Sequence, residues 1–230
     1  MRRRRTARYI ALLGALAALP ACGLIADIQP LTVANQDVTD ADAGLVVDAD
    51  VPLEAAPDAP TCSVKTTPLR LPGTADQSGD PQTHLSWSGA DAIKFDDDAG
   101  ATVDGPFTYS FELLASGFKF DIPATATILG VTVEVRVRAQ NKNAWVDQGL
   151  TLQPPGTDAK TLRQSPGYAS PEYEIRTYGG PDELWGLLLD PSAVNQDAFG
   201  VGFQTYHGSP INGSASVDYI KMQIRYSSCE

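Results

Sequence analysis

The alternating stretch Leu129–Ala139 constrains the fold of this chain more than any other part of the sequence. Its odd-numbered positions from 131 to 137 carry valine, and its even-numbered positions carry polar side chains from Thr132 to Arg138. Successive side chains of an extended strand point to opposite faces, so one face here is apolar and the other is polar. Such a strand covers a core on one side and meets water on the other, which is typical of an antiparallel sheet.

Similar short runs, separated by Gly, Pro, Asn and Asp, continue from Cys62 to the end of the chain. They predict further strands at Val64–Leu71, His84–Trp87, Thr108–Leu114, Gly117–Ile122, Gln148–Gln153, Glu172–Tyr178, Ala198–Tyr206 and Val217–Tyr226. One helical turn is predicted at Pro191–Asn195, because Asp190 is placed to cap it and Pro191 suits the first helical position. About nine short strands over residues 62–230 predict one all-β domain, an antiparallel two-sheet β-sandwich of jelly-roll type.

The first 22 residues have the layout of an export signal. Four arginines, at positions 2–5, precede an apolar run from Tyr9 to Ala21 that is shorter than the roughly 20 residues needed to cross a bilayer. The run ends in Leu19-Pro20-Ala21-Cys22, which resembles the signal of a bacterial lipoprotein, whose Cys is acylated before cleavage. This resemblance implies a signal peptide over residues 1–21, a lipid on Cys22 and a place in the cell envelope as an outer-membrane lipoprotein. The alternative is a buried Leu/Ala helix with a chance Cys.

The segment that follows the signal is acidic and has no aromatic residue. Residues 23–61 contain eight acidic side chains and neither Lys nor Arg. A segment of this composition buries too little apolar surface to offset the entropy of ordering it. We therefore expect residues 22–61 to form the lipidated Cys and a disordered acidic linker, a spacer between the membrane and the folded domain.

The charge balance limits the partners of the chain. Removing the five arginines of residues 1–21 leaves 12 basic and 28 acidic residues, a formal charge of −16. A chain with this charge repels nucleic-acid phosphates and anionic lipid surfaces. Nucleic acid is therefore excluded as a partner, and contact with the membrane is expected through the lipid on Cys22.

Two cysteines remain after Cys22, and they flank everything that is predicted to fold. Cys62 and Cys229 would be exported to an oxidising compartment, where disulfides form and persist. We predict that they form a disulfide that joins the first and last strands. The alternative is two buried free thiols, since cysteine is often buried.

Several strings between Trp87 and Tyr226 are similar to a module of bacterial surface proteins and phage tail-associated proteins. They are Gly117-Phe118-Lys119-Phe120-Asp121-Ile122-Pro123, Ala126, Ile128, Gly130-Val131, Tyr178-Gly179-Gly180-Pro181, Leu184-Trp185-Gly186, Phe199-Gly200-Val201 and Val217-Asp218-Tyr219-Ile220. This resemblance implies a β-sandwich. It also suggests a structural component that docks onto a larger surface or tail-like assembly.

One candidate metal site is the acidic run Asp96-Asp97-Asp98. Calcium takes six to eight oxygen ligands, and three carboxylates with neighbouring carbonyls offer several. Consecutive residues of an extended chain point in opposite directions, however, so the spacing is not that of an EF-hand. The run predicts either a structural calcium site or a solvated acidic turn.

Aromatic residues form the other candidate site. Trp145 and Tyr168 follow polar, loop-like sequence, and Tyr206 lies near the end of a predicted strand. Aromatic rings of this kind stack on the apolar faces of sugar rings, with polar neighbours for the hydroxyls. We predict a ligand-binding platform at Trp145, Tyr168 and Tyr206. The alternative for each ring is packing in the core.

No catalytic residue is predicted. The sequence holds two histidines, His84 and His207, without a nucleophile motif beside either. Acidic residues are abundant, so abundance singles out no glycosidase pair. The sequence predicts a non-enzymatic lipoprotein with a binding or adhesion module for a glycan or an envelope protein, and it requires no cofactor. The docking component is the alternative, and a hydrolase is a weaker one.

Overall fold

The computed structural model describes residues 61–229 apart from 143, 157–158, 163–166 and 169. These residues lie within one compact unit, Ala56–Glu230, which contains the whole described core. The predicted signal peptide, the lipidated Cys22 and the acidic linker lie outside the described residues. Within the described part, no helix has the length and apolar character needed to cross a membrane.

Twelve strands make up about half of the described chain, which also contains one short helix and a 3₁₀ turn at Ala90–Lys94. The strands are β1 (Cys62–Thr66), β2 (Thr74–Ser78), β3 (His84–Leu85), β4 (Ala101–Asp104), β5 (Thr108–Ser110), β6 (Glu112–Ser116), β7 (Thr127–Ala139), β8 (Trp145–Gln153), β9 (Lys160–Leu162), β10 (Glu174–Gly179), β11 (Gly200–His207) and β12 (Ser214–Cys229). The helix α1 (Pro191–Val194) begins as predicted, because the Asp190 side chain accepts a hydrogen bond from the Ala193 amide at 2.8 Å.

The strands form two sheets. In the five-stranded sheet the order is β1-β12-β7-β10, and β4 also pairs with β12. In the seven-stranded sheet the order is β2-β6-β11-β5-β3, while β8 pairs with the other side of β11 and with β9. Every pairing is antiparallel except the short parallel contact of β3 with β5. The predicted two-sheet β-sandwich is confirmed.

The core lies between the two sheets and begins with the alternating valines of β7. Val131, Val133, Val135 and Val137 have no exposed surface. A register shift between Val217 and Tyr219 of β12 keeps Val217, Ile220, Met222 and Ile224 on the buried face. The seven-stranded sheet contributes the side chains that face them: Leu113, Leu150, Leu152, Val201 and Phe203.

The predicted disulfide between Cys62 and Cys229 is present. The two cysteines face each other in the register of β1 and β12, with their Cα atoms 3.9 Å apart. The bond therefore joins the first and last strands of the described fold, as the sequence predicts.

One predicted strand, Gly117–Ile122, is wrong. Lys119 and Asp121 both have a φ of 56°, a left-handed conformation that interrupts an extended chain. The alternation of the sequence has a different cause here, because Phe118 and Phe120 are buried and stack with their ring centroids 5.8 Å apart. The segment is a loop anchored in the core by two aromatic rings.

Candidate functional site

Two of the three aromatic residues predicted to bind a ligand lie in the core. Trp145 has no exposed surface, and its indole nitrogen donates a hydrogen bond to the Gly213 carbonyl at 3.2 Å. Tyr168 is equally buried, and its hydroxyl donates to the Thr205 hydroxyl at 3.1 Å. A ring without exposed surface cannot stack on a ligand, so the predicted platform at Trp145 and Tyr168 is wrong.

The third residue, Tyr206, belongs to a row of rings on the outer face of the seven-stranded sheet. Thr205 and His207, on either side of it in β11, are buried, so Tyr206 points away from the core. It lies opposite Tyr109 of β5, which lies beside His84 of β3. The ring centroids are 4.8 Å apart for Tyr206 and Tyr109 and 5.7 Å apart for Tyr109 and His84. We call these three side chains the aromatic row.

The row is partly open to solvent. Tyr109 is 39% exposed, while Tyr206 and His84 are half-buried. Sequence reasoning missed Tyr109 and His84 because their strands are distant from β11 along the chain. The only available signal was that both lie in predicted strands.

A polar pocket of about 120 Å³ lies on the same sheet as the aromatic row, and one of its lining residues, Gln204, belongs to β11. Its lining consists of amide, hydroxyl and carboxyl side chains around one glycine: Glu112, Gln148, Gly149, Thr151, Thr161 and Gln204. Gln204 precedes Tyr206 by two positions on the same face of β11, which places their Cα atoms about 7 Å apart. The row and the pocket therefore form one surface, which we call the outer-face site.

Glu112 is the acidic group of the polar pocket. Partial burial raises the pKa of its carboxyl group above the usual value, and hydrogen bonds from Thr151 and Gln153 lower it by less. The side chain lies across Gly202 of β11, where an added Cβ would overlap its carboxyl and methylene atoms. Glycine at this position is therefore what leaves room for Glu112 in the pocket.

The arrangement offers hydrogen-bond donors and acceptors beside aromatic faces. Gln204 is held in place because its amide donates to the Ser110 carbonyl at 3.0 Å. Thr151 and Thr161 share a hydrogen bond of 2.8 Å across β8 and β9. Hydroxyls and amides can both donate and accept. The surface therefore suits a ligand that has many hydroxyl groups and an apolar ring face.

The acidic run Asp96–Asp98 lies against cations of the opposite, five-stranded sheet. Asp96 pairs with Lys221 at 2.7 Å, and Asp98 pairs with Arg136 at 2.6 Å. Asp97 instead accepts a hydrogen bond from the Ala99 amide at 3.1 Å. The described residues contain no group of three or more His, Cys, Asp or Glu side chains that could hold a metal ion. Two of the three carboxylates therefore carry ion pairs, and calcium binding by this run remains a prediction.

A buried polar cluster joins the two sheets through the core. Arg176 of β10 donates to Asp147 of β8 at 3.1 Å, and the Tyr178 hydroxyl donates to the same carboxylate. Burial raises the pKa of Asp147, while Tyr178 and Arg176 lower it by less. The side chain of Asp147 has no exposed surface, and that of Arg176 is 10% exposed. Arg176 also pairs with the partly exposed Glu174 at 2.7 Å, so the cluster runs from the core to the edge of the sheet.

No family model and no curated protein matches the sequence. The following solved structures resemble the chain at low TM-scores. The match to the family 29 carbohydrate-binding module from Piromyces equi has 12% identity, covers 73% of this chain and 91% of that one, and has a TM-score of 0.35. The match to the family 11 carbohydrate-binding module from Clostridium thermocellum, in complex with a β-1,3-1,4-mixed-linked tetrasaccharide, has 12% identity, covers 74% and 91%, and scores 0.34.

The enzymatically active domain of bacteriophage CBA120 tailspike protein 4 also resembles the chain. It is 10% identical over 65% of this chain and 19% of its own, with a TM-score of 0.33. Scores of this size assign neither a family nor a ligand. The fold and the site define the class of protein, a β-sandwich module with an aromatic and polar site on the outer face of one sheet.

Proposed function

We propose that this chain is a carbohydrate-binding module and that the outer-face site holds a saccharide. The observation that supports this function is the aromatic row beside a pocket of amides and hydroxyls on one exposed sheet face. The apolar face of a sugar ring stacks on tyrosine, and its hydroxyls exchange hydrogen bonds with amide and hydroxyl side chains.

The charge around the pocket favours a neutral saccharide. Glu112 is an acceptor for sugar hydroxyls, but it opposes an acidic sugar at the same position. The formal charge of −16 after removal of residues 1–21 adds a long-range repulsion for polyanions. We therefore expect neutral glycans to bind this site more tightly than uronate-containing or sulfated ones.

A glycan array tests this function with residues 56–230, the compact unit that contains the described core. Tyr109→Ala and Tyr206→Ala should each weaken binding about tenfold, since loss of one stacking contact is worth roughly 1 kcal/mol or more. Phe95→Ala is the matched control, because Phe95 is an aromatic residue, 55% exposed, outside the site. A blank array, or binding that survives both tyrosine substitutions, would refute the proposal.

The chain is further proposed to be an outer-membrane lipoprotein of a bacterial cell envelope, attached through Cys22. This proposal is supported by the sequence Leu19-Pro20-Ala21-Cys22 and the basic, apolar segment before it. Labelling with a radioactive fatty acid tests it. Label should enter the full chain and be absent from Cys22→Ser. Label retained by Cys22→Ser would contradict this form of attachment.

A second candidate function is docking onto a larger assembly. Phe107 and Ile211 are 57% and 70% exposed, and the Phe107 amide donates to the Ser209 carbonyl, which brings their two loops together. Exposed apolar side chains on neighbouring loops are a feature of many interaction sites. If Phe107→Ser and Ile211→Ser abolish recovery of the chain with an envelope complex but leave glycan binding unchanged, docking is supported.

The prediction that the chain is not an enzyme remains a prediction. Among the residues that line the polar pocket, Glu112 is the one carboxylate. Most glycosidases use a pair of carboxylates that flank the scissile bond. Binding without cleavage is therefore the role that the described lining supports. Release of reducing sugar from a bound glycan would contradict it.

A further inference from the structure

A second pocket lies on the outer face of the five-stranded sheet, on the opposite side of the sandwich from the outer-face site. Its volume is about 260 Å³, and it is lined by two arginines, one tyrosine and two acidic residues: Arg136, Arg138, Tyr173, Asp98 and Glu172. Both arginines belong to β7, two positions apart, so their side chains leave the same face of the strand.

The charge of Arg136 is already neutralised. Its guanidinium contacts Asp98 at 2.6 Å and Asp218 at 2.5 Å, and Asp96 is 3.7 Å away. The side chain of Asp218 has no exposed surface, so this ion pair is a fixed part of the fold. A ligand would gain little from Arg136, because three carboxylates already share it.

Arg138 differs from Arg136 although it lines the same pocket. Its guanidinium lies over the Tyr173 ring, 4.3 Å from the centroid, and Tyr173 also lies against Arg136 at 4.6 Å. Within the described residues, no carboxylate is paired with Arg138, and its side chain is exposed. The aromatic contact orients the guanidinium without neutralising it.

We propose that this pocket binds a carboxylate group through Arg138. A guanidinium presents parallel N–H donors that match the two oxygens of a carboxylate, and charge-assisted hydrogen bonds of this kind are among the strongest in proteins. Tyr173 limits the orientations of Arg138 before the ligand arrives, which lowers the entropy lost on binding. The volume of the pocket accommodates a small sugar acid. The inference does not depend on the proposed function, since the pocket is on the other sheet.

The acidic residues of the pocket limit the affinity of this site. Asp98 is engaged by Arg136, but Glu172 is exposed at the pocket and repels an anion. Binding should therefore be weak, with a dissociation constant on the order of 1 mM, and it should weaken further as salt is added. Removing the charge of Glu172 should strengthen it.

An NMR titration of residues 56–230 with sodium D-glucuronate tests the site. D-glucose at the same concentration controls for the sugar ring, sodium acetate supplies a carboxylate without a ring, and sodium chloride controls for ionic strength. The expected result is a saturable shift at the backbone amides of Arg138 and Tyr173 and at the Arg138 Nε–H, produced by glucuronate but not by glucose or chloride. Acetate that reproduces these shifts also supports a carboxylate site.

Three variants make the test specific. Arg138→Gln should weaken glucuronate binding at least about tenfold, and Glu172→Gln should strengthen it about two- to fivefold. Arg225→Gln is the matched control, because Arg225 lies on β12 of the same sheet and is paired with Asp182. Shifts that persist in Arg138→Gln, or that fall equally in Arg225→Gln, would overturn the proposal. Shifts at Tyr109 and Tyr206 report separately on the outer-face site.

Discussion

The substitution Arg176→Met tests how the two sheets are held together. Arg176 and Asp147 are 10% and 0% exposed, so this is a buried ion pair rather than a surface one. Removing one partner of a buried pair costs about 3–5 kcal/mol, because it leaves an uncompensated charge in the core. Tyr178 still donates to Asp147 in the variant, so we expect the lower end, about 3 kcal/mol at pH 7.

The stability lost in Arg176→Met should depend on pH, and the ionisation of Asp147 sets the direction of this dependence. Burial raises the pKa of Asp147 in the folded state above its value in the unfolded state. The folded state therefore loses stability as the pH rises from the unfolded-state pKa through the folded-state pKa. Removing Arg176 takes away a group that lowers this pKa, so the folded pKa rises further. The stability deficit of Arg176→Met should therefore be larger at pH 7 than at pH 4.5, where more of Asp147 is protonated.

Urea unfolding of residues 56–230 at both pH values, monitored by tryptophan fluorescence, measures this stability deficit. The control is Arg225→Met, whose ion pair with Asp182 lies on the surface and should contribute about 1 kcal/mol or less. The double variant Asp147→Asn, Arg176→Met removes the buried charge and should recover much of the loss. A deficit of Arg176→Met below about 1 kcal/mol, or the same deficit at both pH values, would refute the reasoning.

Three further predictions follow from the contacts. Gly202→Ala should displace Glu112 from the pocket and weaken glycan binding. Its cost in urea unfolding should be about 1 kcal/mol, the low end for overpacking, because the displaced atoms are the far end of a flexible side chain; unchanged binding would contradict the role of this glycine. Replacing Cys62 and Cys229 by serine should cost about 3–5 kcal/mol because the bond closes a loop with a separation of 167 residues, and an unchanged melting temperature would be the contrary result. Asp190→Ala should cost about 1 kcal/mol in urea unfolding through loss of the α1 cap, with Asp197→Ala as the exposed control.

The fold was largely predictable because its signals are local. The valines of β7 alternate within one strand, and the Asp190 cap lies directly before the helix it caps. The pairing of Cys62 with Cys229 followed from the two cysteines flanking the folded part. Local alternation was misleading at Phe118 and Phe120, where it reflects a loop that inserts two rings into the core.

The candidate sites were harder to predict because long-range pairing builds them. The aromatic row takes one ring from each of β3, β5 and β11, and the relative register of these strands cannot be read from single-strand patterns. Trp145 was taken for a loop residue, but β8 begins there and directs its ring inward. Asp96 meets its cation 125 residues away, at Lys221. The residue types suggested which side chains could bind a ligand, but the fold determines which residues each of them contacts.

The position of the disulfide decides how the domain responds to a mechanical pull. Every residue of β1 is exposed, so this strand is held to β12 by backbone hydrogen bonds with little buried surface and could be peeled off from one end. Cys62 is its first residue, so a force applied through the preceding chain reaches the sulfur–sulfur bond before it reaches those hydrogen bonds. The force then passes into β12, which is also paired with β4 and β7. Tension from the N-terminal side is thus spread across the five-stranded sheet instead of unzipping its edge.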